Sequence, residues 1–234
     1  MVKLVVFDMA GTTVDEDNLV YKTLCQAIND AGFAVTLDQV LTIGAGKEKL
    51  TAIQDVLAEV APQANPQEVS PGIFDDFKKR LATAYQTEPI SPQPGAEIAF
   101  KTLQCKAVKV VLNTGYDRST AEQLLDRLNW RIGQQIDFLV TASDVERGRP
   151  FPDMIEKAMD QFGITNPIQV VKIGDSIIDI EEGQQAGCQF NIGVTTGAHR
   201  FDQLQKAQPT TILSDLLELI PYLEEMEAFE RVRV

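Results

Sequence analysis

Five short apolar runs punctuate the chain: Lys3–Phe7, Val108–Leu112, Phe138–Thr141, Val170–Ile173 and Phe190–Val194. Lys3–Phe7, Val108–Leu112 and Val170–Ile173 are rich in β-branched residues and bounded by Gly, Asp or Asn. Continuous apolar runs of about five residues suit strands buried on both faces of a parallel sheet. Between them the apolar positions recur at helical spacing, over Ala96–Leu103, Ser119–Leu128, Pro152–Phe162 and Ile180–Ala186. In the second of these, Leu124, Leu125 and Leu128 share one face. Alternating strand and helix predict an α/β fold, a doubly wound, Rossmann-like parallel sheet.

Residues 17–88 break this rhythm. Leu19, Thr23, Ala27 and Ala31 recur with helical period, then Leu50, Ile53, Val56, Leu57 and Val60, then Phe74, Phe77, Leu81 and Tyr85. No strand pattern intervenes, and Pro62, Pro66 and Pro71 punctuate the segment. The pattern predicts a small helical domain at 17–88, inserted into an α/β core made of 1–16 and 89–234.

With 234 residues, 44% of them hydrophobic, the chain can fill one large core and a smaller insert. The net charge of -13 disfavours nucleic acid and anionic membranes as partners. An anionic substrate would therefore need a local cluster of cations and N–H dipoles. No apolar run approaches the roughly 20 residues that span a bilayer, and the first run leads straight into Asp8, too short for a signal segment. Cys25, Cys105 and Cys188 are odd in number and far apart, which argues against a disulfide framework and for a reducing cytoplasm. The single histidine, His199, lies among Thr196, Gly197 and Arg200 and reads as a surface-loop residue, so histidine-based triads have little support.

Candidate chemistry gathers where the apolar runs end. Asp8 closes the first run and is followed by Met9-Ala10-Gly11-Thr12-Thr13. Asn113-Thr114-Gly115-Tyr116 follows the second, with Ser119 and Thr120 opening a helix, an arrangement suited to a phosphate oxygen. Arg149 sits in Gly148-Arg149-Pro150, where a guanidinium can pair with phosphate or with Asp8. Asp175 follows the Val170–Ile173 run, and Asp179 comes one helical turn later, so both carboxylates can face one Mg²⁺ site. Each motif alone has an ordinary reading as a turn, an N-cap or an exposed arginine. Their order matters more, because ligands collect at the carboxyl ends of strands in an open α/β sheet.

In that order the motifs resemble the haloacid dehalogenase superfamily, and within it the phosphonatase branch, over nearly the whole chain. Gly174-Asp175 through Asp179-Ile180-Glu181-Glu182-Gly183, with Ala186-Gly187, completes the likeness. Two positions select the branch. Most phosphatases of the superfamily carry a second Asp two residues after the nucleophile, where this chain has Ala10, and a Lys where it has Arg149. The resemblance implies Asp8 as nucleophile, with Asp8, the Ala10 carbonyl and Asp175 as Mg²⁺ ligands and Asp179 supporting them. It implies that Thr114 and Arg149 hold the phosphoryl group, with Gly11, Thr12 and Gly115 in the substrate-binding loops, and that the inserted helices are a mobile cap. The substrate expected is a small phosphonate or phosphate ester, and the protein a monomer or homodimer.

Phosphonatases also use a cap lysine that forms a Schiff base with the substrate aldehyde, which accounts for the missing acid at Ala10. Lys47, three residues after Gly44, fits that place, and Lys49 competes with it. A P-loop is excluded by Leu41 and Glu48, and a dinucleotide fingerprint by Lys49. The alternatives are a phosphatase of small phosphomonoesters, of the phosphoglycolate phosphatase type, and a non-catalytic binding protein that keeps the fold.

Overall fold

The apolar runs become the strands of one parallel sheet in a computed structural model that describes residues 1–229. In chain order the elements are β1 (Leu4–Asp8), β2 (Val14–Asp15), α1 (Leu19–Asp30), α2 (Leu37–Gly44), α3 (Lys49–Val60), α4 (Pro66–Thr87) and β3 (Ser91–Pro92). There follow α5 (Ala96–Cys105), β4 (Lys109–Thr114), α6 (Arg118–Leu128), β5 (Phe138–Thr141), α7 (Asp153–Gln161), β6 (Val170–Gly174) and α8 (Ile177–Ala186). The described chain ends through β7 (Phe190–Val194), α9 (Phe201–Leu204), β8 (Thr211–Leu213) and α10 (Leu219–Glu225).

The main sheet runs β5-β4-β1-β6-β7-β8, with every adjacent pair parallel. Strand β1 lies at the centre because its side chains are apolar on both faces. Val5 and Phe7 enter one core with Leu103, Leu112 and Trp130, and Leu4 and Val6 enter another with Met154 and Ile155. Phe100 bridges Phe7 and Trp130 edge-on, at ring distances of 5.3 and 5.2 Å. Burying side chains of this size is worth about 1.5–3 kcal/mol each, which anchors the strand end that carries Asp8.

The predicted helices appear with shifted ends. Strand β4 extends to Thr114, so Asn113 and Thr114 are strand residues, and α8 starts at Ile177 because Ser176 and Asp179 form a capping box. The short edge strand β8, helices α2, α9 and α10, and the β2–β3 pair have no counterpart in the predicted pattern.

Helices α1 to α4 fill the stretch between β2 and β3. Those two short strands pair antiparallel, with Val14 opposite Pro92 and Asp15 opposite Ser91, so both ends of the insertion meet. Of the anticipated periodic positions, Thr23, Ala27, Ile53, Val56, Leu57, Phe77, Leu81 and Tyr85 are buried and Leu19, Leu50, Val60 and Phe74 half-buried, whereas Ala31 is exposed because α1 ends at Asp30. Among the described residues no helix is long and apolar enough to cross a membrane, and the three cysteines are unpaired.

Candidate active site

Parallel register brings the motif residues to one edge. Asp8 ends β1 opposite Asn113 of β4, and Phe7 lies opposite Ile173 of β6, two residues before Asp175. A narrow crevice above these strand ends is lined by Asp8, Ala10, Thr114, Gly115 and Arg149 from the core, and by Tyr21, Gly46 and Lys49 from the inserted helices. Tyr116 completes its wall.

Arg149 organises the floor. Its Nη1 donates to Asp8 Oδ1 at 2.7 Å and lies 3.0 Å from Asp179 Oδ1. Its Nη2 donates to Asn113 Oδ1 at 2.7 Å, and its Nε to Glu182 Oε2 at 3.0 Å. Lys172 lies beneath, 2.7 Å from Asn113 Oδ1, 2.8 Å from Asp179 Oδ1 and 3.3 Å from Glu182 Oε2. Removing one partner from a buried charge network of this kind costs about 3–5 kcal/mol, because the others are left uncompensated. The sequence reading missed Lys172, Glu182 and the side chain of Asn113. A lysine inside an otherwise apolar strand, Val170-Val171-Lys172-Ile173, was the available signal.

Asp175 is held differently. Its Oδ2 accepts the Ala198 N–H at 2.6 Å and its Oδ1 the Thr12 hydroxyl at 3.2 Å. Gly11 and Gly197 crowd it so closely that a Cβ on either would overlap the carboxylate. Burial raises the pKa of Asp175 well above the carboxylate range, and the charges of Asp8 and Asp179 add to this. Asp8 is also raised, by burial above all, against the pull of Arg149. Asp179 is lowered, because Arg149 and Lys172 outweigh its burial.

Carboxylate oxygens of Asp8, Asp175 and Asp179 lie within 4.8 Å of one another, and all three residues are buried. Asp175 has no ion-pair partner among the described residues and Asp8 has Arg149 alone, so a hard divalent cation suits the donor set. The charge of Asp179 is already paired with Arg149 and Lys172, and its Oδ2 accepts the Ser176 hydroxyl.

Several anticipated site residues act otherwise than the motifs suggest. The N–H groups of Gly11 and Thr12 are engaged within their own turn, on Val14 and Met9 carbonyls, so these residues shape the loop and hold Asp175. Thr114 lines the crevice, and its hydroxyl accepts the Tyr116 N–H at 3.2 Å. Gly115 leaves room for the inserted segment to cross, since a Cβ there would come 2.7 Å from the Lys47 carbonyl oxygen.

Lys47 and Lys49 separate at the start of α3, where Glu48 caps the helix by accepting the Leu50 and Thr51 N–H groups. Lys47 turns away and pairs with Asp55 at 2.6 Å. Lys49 turns inward, buried, with its ammonium donating to the Lys47 carbonyl at 2.7 Å and lying 5.3 Å from each of the Tyr21 and Tyr116 ring centres. Burial lowers the Lys49 pKa to about 8, against the opposing charges of Asp8 and Glu48. The lysine in the crevice is therefore Lys49, not Lys47.

His199 is not a surface residue. It is buried, its Nδ1 accepts the Ile177 N–H at 3.0 Å, and its Nε2 donates to the Leu41 carbonyl of the insertion at 3.1 Å. Burial lowers its pKa, consistent with a neutral ring linking α8 to α2.

Residues 5–193 match the haloacid dehalogenase-like hydrolases, and the chain belongs to that family. Its relatives include the phosphonoacetaldehyde hydrolases. That of Latilactobacillus sakei is 31% identical over 196 residues, covering 80% of this chain and 73% of that protein. That of Bacillus cereus is 27% identical over 210 residues, covering 84% and 77%. A bifunctional phosphonoacetaldehyde hydrolase/aminoethylphosphonate transaminase of Clostridioides difficile is 27% identical over 214 residues, covering 88% of this chain and 33% of that longer protein. Among solved structures, a phosphonoacetaldehyde hydrolase-like protein from Oleispira antarctica superposes with a TM-score of 0.81 at 24% identity, covering 96% and 92% of the two chains. A predicted phosphoglycolate phosphatase from Haemophilus somnus superposes with 0.74 at 17% identity, covering 94% and 97%. The superpositions establish the α/β fold, and the family makes the chain a hydrolase.

Proposed function

We propose that this chain is a Mg²⁺-dependent, phosphonatase-type hydrolase in which Asp8 attacks the phosphorus of a small phosphonate and forms an aspartyl-phosphate that water then hydrolyses. The observation that carries the reading is Lys49, a buried lysine in the same crevice as Asp8 and Ala10. A carbon leaving group cannot depart from phosphorus unless its electron pair has somewhere to go. An imine between Lys49 and an aldehyde carbon would accept it. With its pKa lowered to about 8, Lys49 is neutral often enough near neutral pH to attack a carbonyl.

Asp8, the Ala10 carbonyl and Asp175 would hold Mg²⁺, with Asp179 behind them. The ion would supply positive charge beside the phosphoryl oxygens, which otherwise repel the carboxylate. Arg149 would give up part of its contact with Asp8 to the phosphoryl group, and Thr114 and Gly115 would bound that group on the β4 side. Residues 17–88 act as a cap, hinged near 15–19 and 88–95, that closes over the bound substrate and excludes water. The closed cap brings the Gly46 carbonyl within 3.3 Å of Arg149 Nη1, which supports this arrangement. The three unpaired cysteines support a reducing cytoplasm as its location.

The test is imine trapping. Borohydride with phosphonoacetaldehyde should fix a covalent adduct on Lys49. Lys49→Arg should lose C–P cleavage, and Lys47→Arg should keep it. An adduct on Lys47, or full activity in Lys49→Arg, would overturn the assignment. The alternative substrate is a small phosphate monoester, but its alkoxide needs an acid that Ala10 cannot provide.

A further inference from the structure

Behind Lys49 the crevice wall continues into a line of buried hydroxyls. The Tyr116 hydroxyl lies 2.7 Å from that of Tyr85, and the Tyr85 hydroxyl donates to Glu16 Oε2 at 2.7 Å. Tyr85, Tyr116 and Glu16 are 2%, 3% and 4% exposed. Glu16 Oε2 also accepts the Val20 N–H at 3.0 Å, yet no cation lies within ion-pair distance of Glu16 among the described residues. Buried carboxylates are normally paired or neutral. This one ends a hydrogen-bonded line whose other end, Tyr116, lines the crevice together with Asp8, its ring 5.3 Å from the Lys49 ammonium.

We propose that Glu16 is the proton source for the departing group, delivering through Tyr85 and Tyr116 the proton that Ala10 cannot supply. The inference rests on Asp8 as nucleophile and holds for a carbon or an oxygen leaving group. As Asp8 bonds to phosphorus, the P–O pair stays on the leaving oxygen, or the P–C pair passes into the Lys49 imine to give an enamine, and the atom to be protonated is that oxygen or the enamine carbon. That atom takes the Tyr116 proton, Tyr116 takes the proton of Tyr85, and Tyr85 takes that of Glu16. Glu16 is left as a carboxylate and regains its proton from water when the crevice opens. With Glu16 ionised, both hydroxyls donate toward it, and the 2.7 Å contact between Tyr85 and Tyr116 admits either hydroxyl as the donor. With Glu16 protonated, the line reverses and the Tyr116 proton is directed into the crevice.

The surroundings of Glu16 suit this task. Tyr85 faces it from α4, Lys22, Tyr21 and the Val20 N–H from α1, Lys49 from α3, and Tyr116 from the turn after β4. Burial pushes its pKa up to about 7, against the hydrogen bonds from Tyr85 and Val20 and the charges of Lys49 and Lys22. Burial also raises the three tyrosines well above their ordinary range, so they enter each cycle protonated. Tyr85 belongs to the insertion and Tyr116 to the core, so the line is complete only when the two are seated together.

The test measures kcat against pH on phosphonoacetaldehyde for the unmodified protein, Glu16→Gln and Tyr85→Phe, with thermal melts to show that each variant folds. The unmodified protein should lose activity above about pH 7. Both variants should lose roughly 10²-fold in kcat, the size of a general-acid contribution, and Glu16→Gln should also lose that alkaline limb. Borohydride trapping on Lys49 should persist in both. A limb that survives in Glu16→Gln, or unmodified kcat in Tyr85→Phe, would overturn the relay. If phosphonoacetaldehyde is not turned over, the substrate reading fails and two esters decide the relay: 4-nitrophenyl phosphate, whose phenolate needs little acid, and a phosphate monoester of a primary alcohol. A loss at least tenfold larger on the alkyl ester upholds the relay, and equal losses overturn it. If the unmodified protein is inert on all three substrates, the role of Asp8 fails and the relay falls with it.

Discussion

Glu16→Gln should make the protein more stable at alkaline pH and leave it unchanged in acid. Glutamine keeps the acceptor that Tyr85 and the Val20 N–H use, but it cannot ionise. In the folded chain burial raises the Glu16 pKa from 4.5 to about 7. The fold thus favours the protonated form. Its stability contribution is fully present below the unfolded pKa and is lost as pH rises through the folded one. A shift of that size, at 1.36 kcal/mol per pKa unit, corresponds to about 3 kcal/mol. For a chain of this length each kcal/mol moves Tm by about 2–4 °C, so Glu16→Gln should melt about 6–12 °C above the unmodified protein at pH 8. Near pH 4 the two should melt together. Scanning calorimetry of both proteins across this range checks the result, and the comparison cancels every other titrating group. A difference that does not change with pH, or a glutamine variant that melts lower at pH 8, would refute the reasoning.

Two further outcomes test the rest of the site. Asp8→Asn should reduce turnover to background with the melt preserved, and substantial residual turnover in material free of deamidated protein would reject Asp8 as nucleophile. EDTA should abolish activity and Mg²⁺ restore it. Calorimetric titration should show Asp175→Ala losing Mg²⁺ affinity severely and Asp179→Ala losing roughly 10–100-fold, as for a group that supports the ligands; full activity in chelator would end the metal assignment.

The sheet was legible in the sequence because its strands are buried on both faces, and a run such as Leu4-Val5-Val6-Phe7 has few other uses. Strand β8 was not, since it is three residues at the edge and only Leu213 is fully buried. The acids at the strand ends were legible for the same reason as the strands. The two lysines were not separable, because which one turns inward depends on the Glu48 cap that sets where α3 begins. His199 looked like a loop residue because its partners, Ile177 and the Leu41 carbonyl, are remote in sequence. Glu16 carried no local signal at all. Its meaning lies in Tyr85 and Tyr116, which only the seated insertion brings to it.

The position of β1 at the centre of the sheet has a consequence for synthesis. Within this sheet it is the first strand in chain order, yet one neighbour begins at Lys109 and the other at Val170. At about 5–20 residues per second, the second neighbour follows roughly ten seconds or more behind. Until then an apolar strand with both edges unpaired waits on the growing chain, an exposure that invites pairing with other chains. The inserted helices are made during that wait. Their contacts are largely local, so they can form early and shield the Asp8 end of the strand before its partners arrive.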